Sequence, residues 1–591
     1  MGAATVLGTL GAGCSLLYDL STDQCAESTD CARFGAGYTC SANVCQAPTD
    51  VVGGAGTGGS AGSGGSQTGG SAGMDQAGSS GSAGAGVTPG CSNNGQCIDE
   101  NGDQPFVCRA GECIDLRTDA CPFVIGKENL RVKNPIIIGA YTYIDPQNVT
   151  NSPSTANYEL ALQEFTANAG EGLGDGRRIA IVACDAINAG TFAASLNHLI
   201  DDVHVPGIIA PLFSNDLATL FTAKGHDGNV FFLSPLDADS TLTRLPDDGL
   251  IWNILGSAAQ LAPSYVPLLE RTEAYIHTRQ TTQAPIKVAL VDDETVYAKD
   301  ISEELTGTTT PLSFNGQLAG AQLDDGCGPS LDEPCFLPLT IPSRGVAGDY
   351  TATIEALDAF QPDVIIALNG AESISNVVEP LEAVWDEARP ARPFYLMSPY
   401  QAGSGELHDA VVSSTQQNKQ CNSLPCPTMA GRLLGINFES ARNPSIVTSY
   451  RTRFHQYTTL ADFYENFYDA AWYMFYAIAA AGDVPLTGTE IARGMGRLVR
   501  TDITRTFAVG PAAVSDVLYA LGISGTGGIQ LDGAMGPPDF DPGTGARRTL
   551  GSAYCVSGGG NFLWDVMRYE ASPAPPSMSA PGPSTCVPAG F

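Results

Sequence analysis

Short apolar runs, each followed by a stretch with helical periodicity, recur through most of this chain and constrain its fold more than any other feature. The runs are apolar throughout and do not alternate with polar residues. Strands of that kind are buried on both faces, as in a parallel sheet covered by helices. The runs occupy residues 135–141, 179–183, 207–211, 230–235, 287–292, 363–368 and 394–399.

The spacing of these runs predicts two lobes. Helical stretches at 157–169, 215–224 and 463–481 alternate with the runs, and the alternation breaks near 251–260 and 431–439. Such breaks predict two α/β lobes that share the chain. Most runs end in Pro, Asp, Ser or Asn, and in open α/β sheets ligands bind at the carboxyl ends of the strands. We therefore expect a binding cleft at those ends.

Charge and motif content exclude several functions. Asp and Glu number 63 against 29 Lys and Arg, and the resulting net charge of -34 repels nucleic acid and anionic lipid headgroups. The chain has no HExxH motif and no phosphate-binding loop, and its 6 histidines are scattered. The GxSxG string at 58–62 lies in a Gly-rich stretch without the strand and helix that a nucleophile elbow needs. Asp292 and Asp293 end a strand and are interpreted as solvating its loop. We expect a non-enzymatic protein without a cofactor or metal.

The 17 cysteines are clustered, which indicates disulfides and an oxidising compartment. Two clusters share the pattern C-x5-C, a longer gap, then C-x4-C, and so form an internal repeat. Units this short cannot build a core, so cross-links must hold them, although the sequence does not determine their pairing. A calcium site on Asp99, Glu100 and Asp103 is the alternative for the second unit. The clusters are Cys25, Cys31, Cys40 and Cys45, and Cys91, Cys97, Cys108 and Cys113.

The remaining cysteines suit bridges across loops and onto the tail. Pairing them locally leaves Cys121 and Cys184 for each other, which would close the second module onto the first lobe. The local pairs are Cys327 with Cys335, Cys421 with Cys426, and Cys555 with Cys586.

The N-terminal region resembles that of bacterial lipoproteins. Cys14 follows Leu10-Gly-Ala-Gly13 behind a short apolar stretch, which resembles a lipobox whose cysteine is lipidated after cleavage. An ordinary disulfide cysteine is the alternative. The Gly/Ser/Ala-rich stretch 47–90 reads as a disordered linker with a root-mean-square span of roughly 35–40 Å, long enough to tether a domain. No run of 18 apolar residues is present, so we expect no transmembrane helix.

These observations divide the chain into six segments. Lobe 1 is expected at about 134–255 and 440–505, and lobe 2 at about 262–438 and 506–571. The segments are a signal-like stretch at 1–14, a first Cys-rich module at 15–46, the linker at 47–90, a second module at 91–121, the two-lobed domain at 134–571 and a Pro-rich tail at 572–591.

Several segments stand in an order typical of one superfamily. They are an opening strand at 136–140, a helix and strand at 156–165 and 179–182, a strand leading to Ser214 at 206–214, a strand and loop at 232–235, a second-lobe strand at 288–292 followed by Tyr297, and a late hairpin with Gly533, Phe540, Asp541 and Gly543. In this order, residues 134–570 resemble the type I periplasmic-binding-protein superfamily. The resemblance is closest to substrate-binding proteins of branched-chain amino-acid ABC transporters and related receptor ligand-binding regions.

The resemblance implies an α/β fold of two doubly wound parallel-sheet lobes joined by a hinge, with a ligand clamp in the cleft between them. Ser214, with Asn215 at the following helix start, matches the serine that contacts a ligand carboxylate, and a helix start supplies free N–H groups. The alternative is that Ser214 only caps the helix. Tyr297 matches an aromatic residue that covers the ligand from the second lobe. Ala238 stands where the family has a threonine, and Asn369 stands near an aromatic position of the family.

Other candidate ligand contacts come from the residue types themselves. Asp237 and Asp239 are suited to hold an amine by charge-assisted hydrogen bonds, or to cap turns. Tyr141, Tyr143 and Tyr400 lie beside strand ends, where they either stack on a ligand or pack the lobe.

The leading hypothesis is a surface-tethered extracytoplasmic solute-binding protein that closes two lobes on an amino acid, amine or amide. Its expected partners are the small ligand and an ABC permease or membrane sensor, with no nucleic acid and with membrane contact only through a lipid anchor. Its expected location is the bacterial periplasm or cell surface. The alternative is a structural or interaction lipoprotein that keeps the fold without a ligand. The sequence does not determine the oligomeric state.

Overall fold

The computed structural model describes most of the chain from residue 90 onward. The predicted lipidation site Cys14, the candidate ligand contact Asp237, and Cys25, Cys31, Cys327, Cys421 and Cys426 lie outside the described residues. Those residues are 39–41, 44–46, 90–144, 152–170, 173, 176–236, 238–279, 284–323, 333–342, 350–385, 391–417, 429–439, 444–460, 464–482, 484–500, 502, 505–522, 527–571, 575–579, 586–587 and 591.

The strands and helices alternate along the chain. The strands are β1 Thr39–Ser41, β2 Val44–Gln46, β3 Phe106–Arg109, β4 Glu112–Asp115, β5 Phe123–Ile125, β6 Ile136–Thr142, β7 Ile179–Asp185, β8 Gly207–Ile209, β9 Phe231–Ser234, β10 Ile251–Asn253, β11 Val288–Asp293, β12 Ser313–Phe314, β13 Gln317–Leu318, β14 Phe336–Ile341, β15 Val364–Leu368, β16 Phe394–Met397, β17 Leu433–Glu439, β18 Thr506–Ala508, β19 Gln530–Asp532, β20 Leu550–Val556, β21 Phe562–Glu570 and β22 Ser577–Met578. The helices are α1 Asn94–Glu100, α2 Pro153–Asn168, α3 Phe192–Asn197, α4 Ser214–Leu220, α5 Thr241–Arg244, α6 Ala262–Arg279, α7 Val296–Thr306, α8 Thr351–Phe360, α9 Glu379–Val384, α10 Gly405–Gln417, α11 Pro444–Tyr457, α12 Glu465–Ala481, α13 Gly488–Leu498 and α14 Val514–Gly522.

The chain forms two compact units, Leu20–Gly90 and a large unit that contains Cys91–Phe591. The described part of the first unit is an antiparallel hairpin of β1 and β2, in which Cys40 and Cys45 are register partners. The large unit contains the second Cys-rich module and both sheets.

The second module is a helix and a hairpin held by two disulfides. Its cysteines pair as Cys91–Cys108 and Cys97–Cys113, which confirms that cross-links hold the module. Its apolar residues Ile98, Val107 and Leu116 share a core with the first lobe.

The alternative calcium site in this module is wrong. Arg131 contacts Asp99 and Asp103, each at 2.9 Å, and Lys127 contacts Asp103 at 3.3 Å. Glu100 accepts a hydrogen bond from Gln96 at 2.8 Å. These carboxylates therefore have cationic or amide partners from the protein itself.

Lobe 1 is built on a six-stranded sheet in the order β10-β9-β8-β6-β7-β5. Strands β6 to β10 are parallel, and β5 adds an antiparallel edge beside β7. Counted from β6, the parallel strands follow the order 2-1-3-4-5 of a doubly wound sheet. Every residue of β6, β8 and β9 is buried, as the continuous apolar runs predict, and β10, for which no run was predicted, is buried as well.

Lobe 2 repeats this topology on an eight-stranded sheet in the order β14-β11-β15-β16-β17-β20-β21-β22. The strands β11 to β17 in this sheet are parallel and again run 2-1-3-4-5 from β11, whereas β20 to β22 extend the sheet antiparallel. The predicted fold class, two doubly wound parallel-sheet lobes, is confirmed by this strand order.

The chain crosses between the lobes three times. It leaves lobe 1 after β10 and leaves lobe 2 after β17. The stretches 251–260 and 431–439, which were interpreted as breaks, therefore contain these two strands, each the fifth parallel strand of its sheet. The first crossing bends at Gly256, whose φ is +91° and where a Cβ would collide with the carbonyl of Arg547. Such a position requires glycine.

The third crossing lies later than the sequence predicts. Helix α14 packs against α2 and α12 on lobe 1, and the amide of Asn253 donates to the carbonyl of Gly545 at 2.9 Å. The chain therefore remains with lobe 1 to about 546 and joins lobe 2 at β20, instead of crossing at 505–506. The reason is that α14 carries an apolar face that α2 and α12 cover, a pairing that local periodicity does not reveal.

Two further disulfides anchor the large unit. Cys121 pairs with Cys184 at the end of β7, which joins the second module to lobe 1 as expected. Cys555 pairs with Cys586 and fixes the C-terminal tail to β20, also as expected. Cys335 is disulfide-bonded. The pairing of Cys421 with Cys426 stays a prediction.

Candidate functional site

The carboxyl ends of the two sheets define where a ligand can bind. In a sheet of order 2-1-3-4-5, the connections from the first and third strands leave in opposite directions and open a crevice between them. In lobe 1 these strands are β6 and β8, and in lobe 2 they are β11 and β15. The segments that follow β8, β11 and β15 begin at Ala210, Glu294 and Asn369.

In lobe 1 the end of β6 is filled by hydroxyl groups. The Oγ1 atom of Thr142 lies 2.6 Å from Oγ of Ser154 and 2.7 Å from Oγ1 of Thr155, and Ser152 caps α2. All four residues are buried. These hydroxyl groups bond to one another within lobe 1, and the lobe 1 residues that line a cavity lie instead around the starts of α4 and α5.

One cavity of about 390 Å³ joins the two lobes at this level. Lobe 1 contributes the segment around the start of α4 and the loop before α5, and lobe 2 contributes the loop from β11 into α7 and two loops beside it. The cavity is lined by Phe213, Asn215, Asp239, Asp293, Glu294, Thr295, Val296, Tyr297, Gly370 and Tyr400.

The turn from β11 into α7 forms the lobe 2 side of the cavity. Thr295 is the N-cap of α7, and its Oγ1 accepts from the amide of Ala298 at 3.3 Å. Its own amide donates to Oδ1 of Asp293 at 2.9 Å, and its hydroxyl donates to the same oxygen. The cap orients the first turn of α7, where Tyr297 lies in edge-to-face contact with Tyr400. The turn therefore presents a carboxylate and one aromatic ring to the cavity, and the segment after β16 adds the ring of Tyr400.

The lobe 1 wall is formed at two helix starts. Helix α4 begins at Ser214, preceded by Phe213, whose side chain is 37% exposed. Asp239 is only 7% exposed, and its Oδ1 accepts from the amide of Thr241 at 2.8 Å. The wall therefore presents a phenyl ring, an amide and a second carboxylate.

The site is acidic. Burial raises the pKa of the Asp293 carboxyl, the hydrogen bonds from Thr295 oppose this rise, and the charge of Asp292 adds to it. Asp292 itself is held within lobe 2 by Lys299 at 2.8 Å and Thr340 at 2.7 Å. Burial raises the pKa of Tyr350, and the nearby charges of Glu372 and Asp293 raise it further. Asp293 accepts hydrogen bonds from the loop that follows its strand, as interpreted, and it also lines the cavity with an exposed fraction of only 2%.

The predicted site residues are only partly brought together. Asn215, Tyr297 and Tyr400 line the cavity, and so do the neighbours of Ser214 on either side, whereas Ser214 is fully buried outside the lining. Ala238 is buried next to Asp239, and its carbonyl accepts from the amide of Ala258 at 2.5 Å.

Two candidates do not belong to the cavity lining. Tyr141 packs edge-to-face on Phe192 in the core of lobe 1, where its hydroxyl donates to the Phe192 carbonyl at 3.2 Å. Asn369 is buried inside lobe 2, where its amide donates to the Val291 carbonyl at 3.3 Å and accepts from Gln401 at 3.0 Å. Both side chains stabilise a lobe, because each has its polar atoms bonded within it.

The lining residues that sequence reasoning did not assign to the site are Phe213, Asp293, Glu294, Thr295, Val296 and Gly370. The Asp-x-Thr pattern after β11 was the available signal, since it both ends a strand and caps a helix.

A second contact between the lobes lies beside the cavity. Asp300 of α7 accepts from the amide of Ser240 at 2.6 Å and from its hydroxyl at 2.5 Å, and Arg244 adds an ion pair at 3.2 Å. Ser240 and Arg244 belong to lobe 1, whereas Asp300 belongs to lobe 2. We name these three residues the inter-lobe clasp.

Within the described residues, one group has the spacing of metal ligands: Cys91, Cys97 and Cys113, all of which are in disulfides. Among the helices that the structure describes, none is both long and apolar enough to cross a membrane.

No family model matches the chain, and no curated protein matches it. Solved structures do match. A substrate-binding protein of an ABC transporter from Desulfitobacterium hafniense in complex with Leu is 14% identical, covers 73% of this chain and 100% of its own, and has a TM-score of 0.43. A branched-chain amino acid transporter substrate-binding protein from Streptococcus pneumoniae in complex with isoleucine is 14% identical over 76% of this chain and 100% of its own, with a TM-score of 0.45.

A solute-binding protein of an ABC transporter from R. palustris in complex with benzoate is 10% identical, covers 78% of this chain and 100% of its own, and has a TM-score of 0.44. These sequence identities and TM-scores are low. The fold of this chain is established by its own strand order, and the ligands of these proteins are theirs alone.

Proposed function

We propose that this protein is an extracytoplasmic solute-binding protein that closes two lobes on a small polar ligand for ABC transport or sensing. The observation that carries the proposal is the cavity at the carboxyl ends of both sheets, lined by residues of both lobes. Its volume of about 390 Å³ suits a small molecule. A ligand gripped by both lobes favours the closed state, because the contacts with the second lobe exist only there.

The protein is proposed to act outside the cytoplasm. The pairs Cys91–Cys108, Cys97–Cys113, Cys121–Cys184 and Cys555–Cys586 support an oxidising compartment. A lipid on Cys14 and the linker 47–90 would tether the binding domain to a membrane surface. Replacing Cys14 by alanine should move the protein from the membrane fraction to the soluble fraction. Continued membrane association of this variant would contradict the anchor.

A thermal-shift screen of the purified chain tests the binding function. A ligand present at a hundred times its dissociation constant should stabilise the folded protein by about 2.7 kcal/mol. The panel should hold amino acids, amines, amides and carboxylates. If no class of solute raises the melting temperature, the solute-binding function is wrong and a scaffold role becomes the better hypothesis.

A variant pair connects any hit to the cavity. Tyr297→Ala removes an aromatic wall and should weaken binding about tenfold, since aromatic contacts contribute roughly 0.5–1.5 kcal/mol beyond their buried area. Tyr519→Ala is the matched control, because Tyr519 on α14 is 67% exposed and lies outside the lining. Calorimetry should find wild-type affinity in the control only.

A further inference from the structure

The cavity between the lobes combines carboxylates with aromatic rings. Asp239, Asp293 and Glu294 line it together with Phe213 and Tyr297, and among the described lining residues none is Lys, Arg or His. We infer that the ligand is a small organic cation, an ammonium group on an apolar body without a carboxylate. This inference rests on the proposed solute-binding function and narrows its ligand to one chemical class.

Asp293 supplies a charged contact of its own. Its side chain is almost fully buried, and in the described part of the chain both hydrogen bonds that it accepts end on Oδ1. The carboxylate therefore keeps acceptor capacity beyond these two bonds at a residue that lines the cavity. A carboxylate in such a position forms a charge-assisted hydrogen bond with an N–H donor, whereas an anionic ligand group would meet a like charge.

The carboxylates lie on both lobes. Asp239 belongs to lobe 1, and Asp293 and Glu294 belong to lobe 2. Like charges that approach across a cleft repel each other, and a cation between them converts that repulsion into attraction. Closure is therefore favoured by a cation in particular, because it contacts carboxylates of both lobes only when the cleft is closed.

The aromatic rings fit the same ligand. Phe213 lies on lobe 1, and Tyr297 and Tyr400 lie on lobe 2. A cation within about 6 Å of a ring centroid is attracted by the ring quadrupole, and a quaternary ammonium group needs no hydrogen bond to be held in this way. The rings also provide apolar surface for the body of the ligand.

Two cationic side chains on the helices that follow the lining segments, α5 and α7, form ion pairs with carboxylates that are not in the lining. Lys299 contacts Asp292 at 2.8 Å, and Arg244 contacts Asp300 at 3.2 Å. The carboxylate of a zwitterionic amino acid would therefore face the acidic lining without a cationic partner from the described lining residues. This arrangement distinguishes an amine from an amino acid.

Calorimetry on the full chain at low salt tests the charge preference. Phenethylammonium, phenethyl alcohol, phenylpropionate and phenylalanine share an aromatic body and differ in charge, and choline tests a quaternary group. Phenethylammonium or choline should bind at least tenfold more tightly than the other three. Stronger or equal binding of phenylalanine, phenylpropionate or the alcohol would overturn the inference and leave the solute-binding function standing. If neither cation binds, the inference is wrong, and if no solute of any class binds, both proposals are wrong.

Substitutions of the cavity carboxylates test whether these residues bind the cation. Asp293→Asn keeps an acceptor oxygen for Thr295 and removes the charge, so it should weaken phenethylammonium binding roughly 10- to 100-fold, with the melting temperature as a check on folding. Glu294→Gln provides a second variant at the cavity that does not cap the helix. Glu355→Gln on the exposed face of α8 is the control and should bind as wild type. Unchanged cation affinity in both cavity variants would overturn the inference.

Discussion

The inter-lobe clasp predicts that one substitution opens the cleft. Asp300→Ala removes a carboxylate of lobe 2 that accepts two hydrogen bonds from Ser240 and an ion pair from Arg244, both of lobe 1. Alanine is the strongest helix former, so α7 should persist. In the closed state the amide and hydroxyl of Ser240 would be buried without this acceptor, whereas in an open state water can solvate them. The substitution therefore destabilises the closed state in particular.

The magnitude follows from the three contacts. A hydrogen bond to a charged group contributes about 1.5–3 kcal/mol, and an exposed ion pair about 0–1 kcal/mol. Arg244 is 69% exposed, so its contact belongs to the second class. Burial raises the pKa of the Asp300 carboxyl, which shows that desolvation offsets part of the gain. A net loss of about 2 kcal/mol is expected, which shifts the closed-to-open equilibrium roughly thirtyfold.

Small-angle scattering and calorimetry measure this shift. The unliganded Asp300→Ala variant should have a larger radius of gyration than wild type, and ligand should bind more weakly because part of the binding energy now drives closure. Asp363→Ala is the control, since Asp363 accepts from the Lys287 amide at 2.8 Å within lobe 2. The control should lower thermal stability without a change in scattering. Identical scattering and affinity in Asp300→Ala and wild type would refute the reasoning.

Three further predictions concern stability and redox state. Burial raises the pKa of Asp469 to about 7, so the native state binds one more proton than the unfolded state between about pH 4 and pH 7. The free energy of unfolding should therefore fall as the pH rises across this window, by up to about 1.4 kcal/mol per pH unit. Denaturant titrations should find a flatter dependence on pH in the Asp469→Asn variant. Arg432 is fully buried and binds both oxygens of Glu382 at 2.9 and 2.8 Å, so Arg432→Met should cost about 3–5 kcal/mol, whereas the exposed Arg548→Met should change stability by less than about 1 kcal/mol. Denaturation without reductant should expose no more than one free thiol among the 17 cysteines, and a thiol assay that counts four or more would contradict the oxidised state.

The sequence determined most of the central strands and much of the covalent framework. Continuous apolar runs predicted β6, β7, β8, β9, β11, β15 and β16, because a strand buried on both faces must be apolar on both. The pair Cys555–Cys586 was expected as a bridge that pins the tail, and Cys121–Cys184 followed because those two cysteines remained after the local pairs were assigned. These features depend on local composition and on the number and spacing of cysteines, both of which can be read from a single sequence.

The tertiary structure alone decided which side chains share the cleft. In a strand that is apolar on both faces, periodicity does not show which face meets the ligand, so Tyr141 was expected near the cleft and lies in the core. Asp239 and Asp293 stand on different lobes and approach each other only through the packing of two sheets. The third crossing was misplaced for the same reason, since the apolar face of α14 is covered by α2 and α12, which are distant in sequence. Contacts between segments that are distant in sequence depend on the tertiary packing of both lobes, and the local pattern of apolar and polar residues does not predict them.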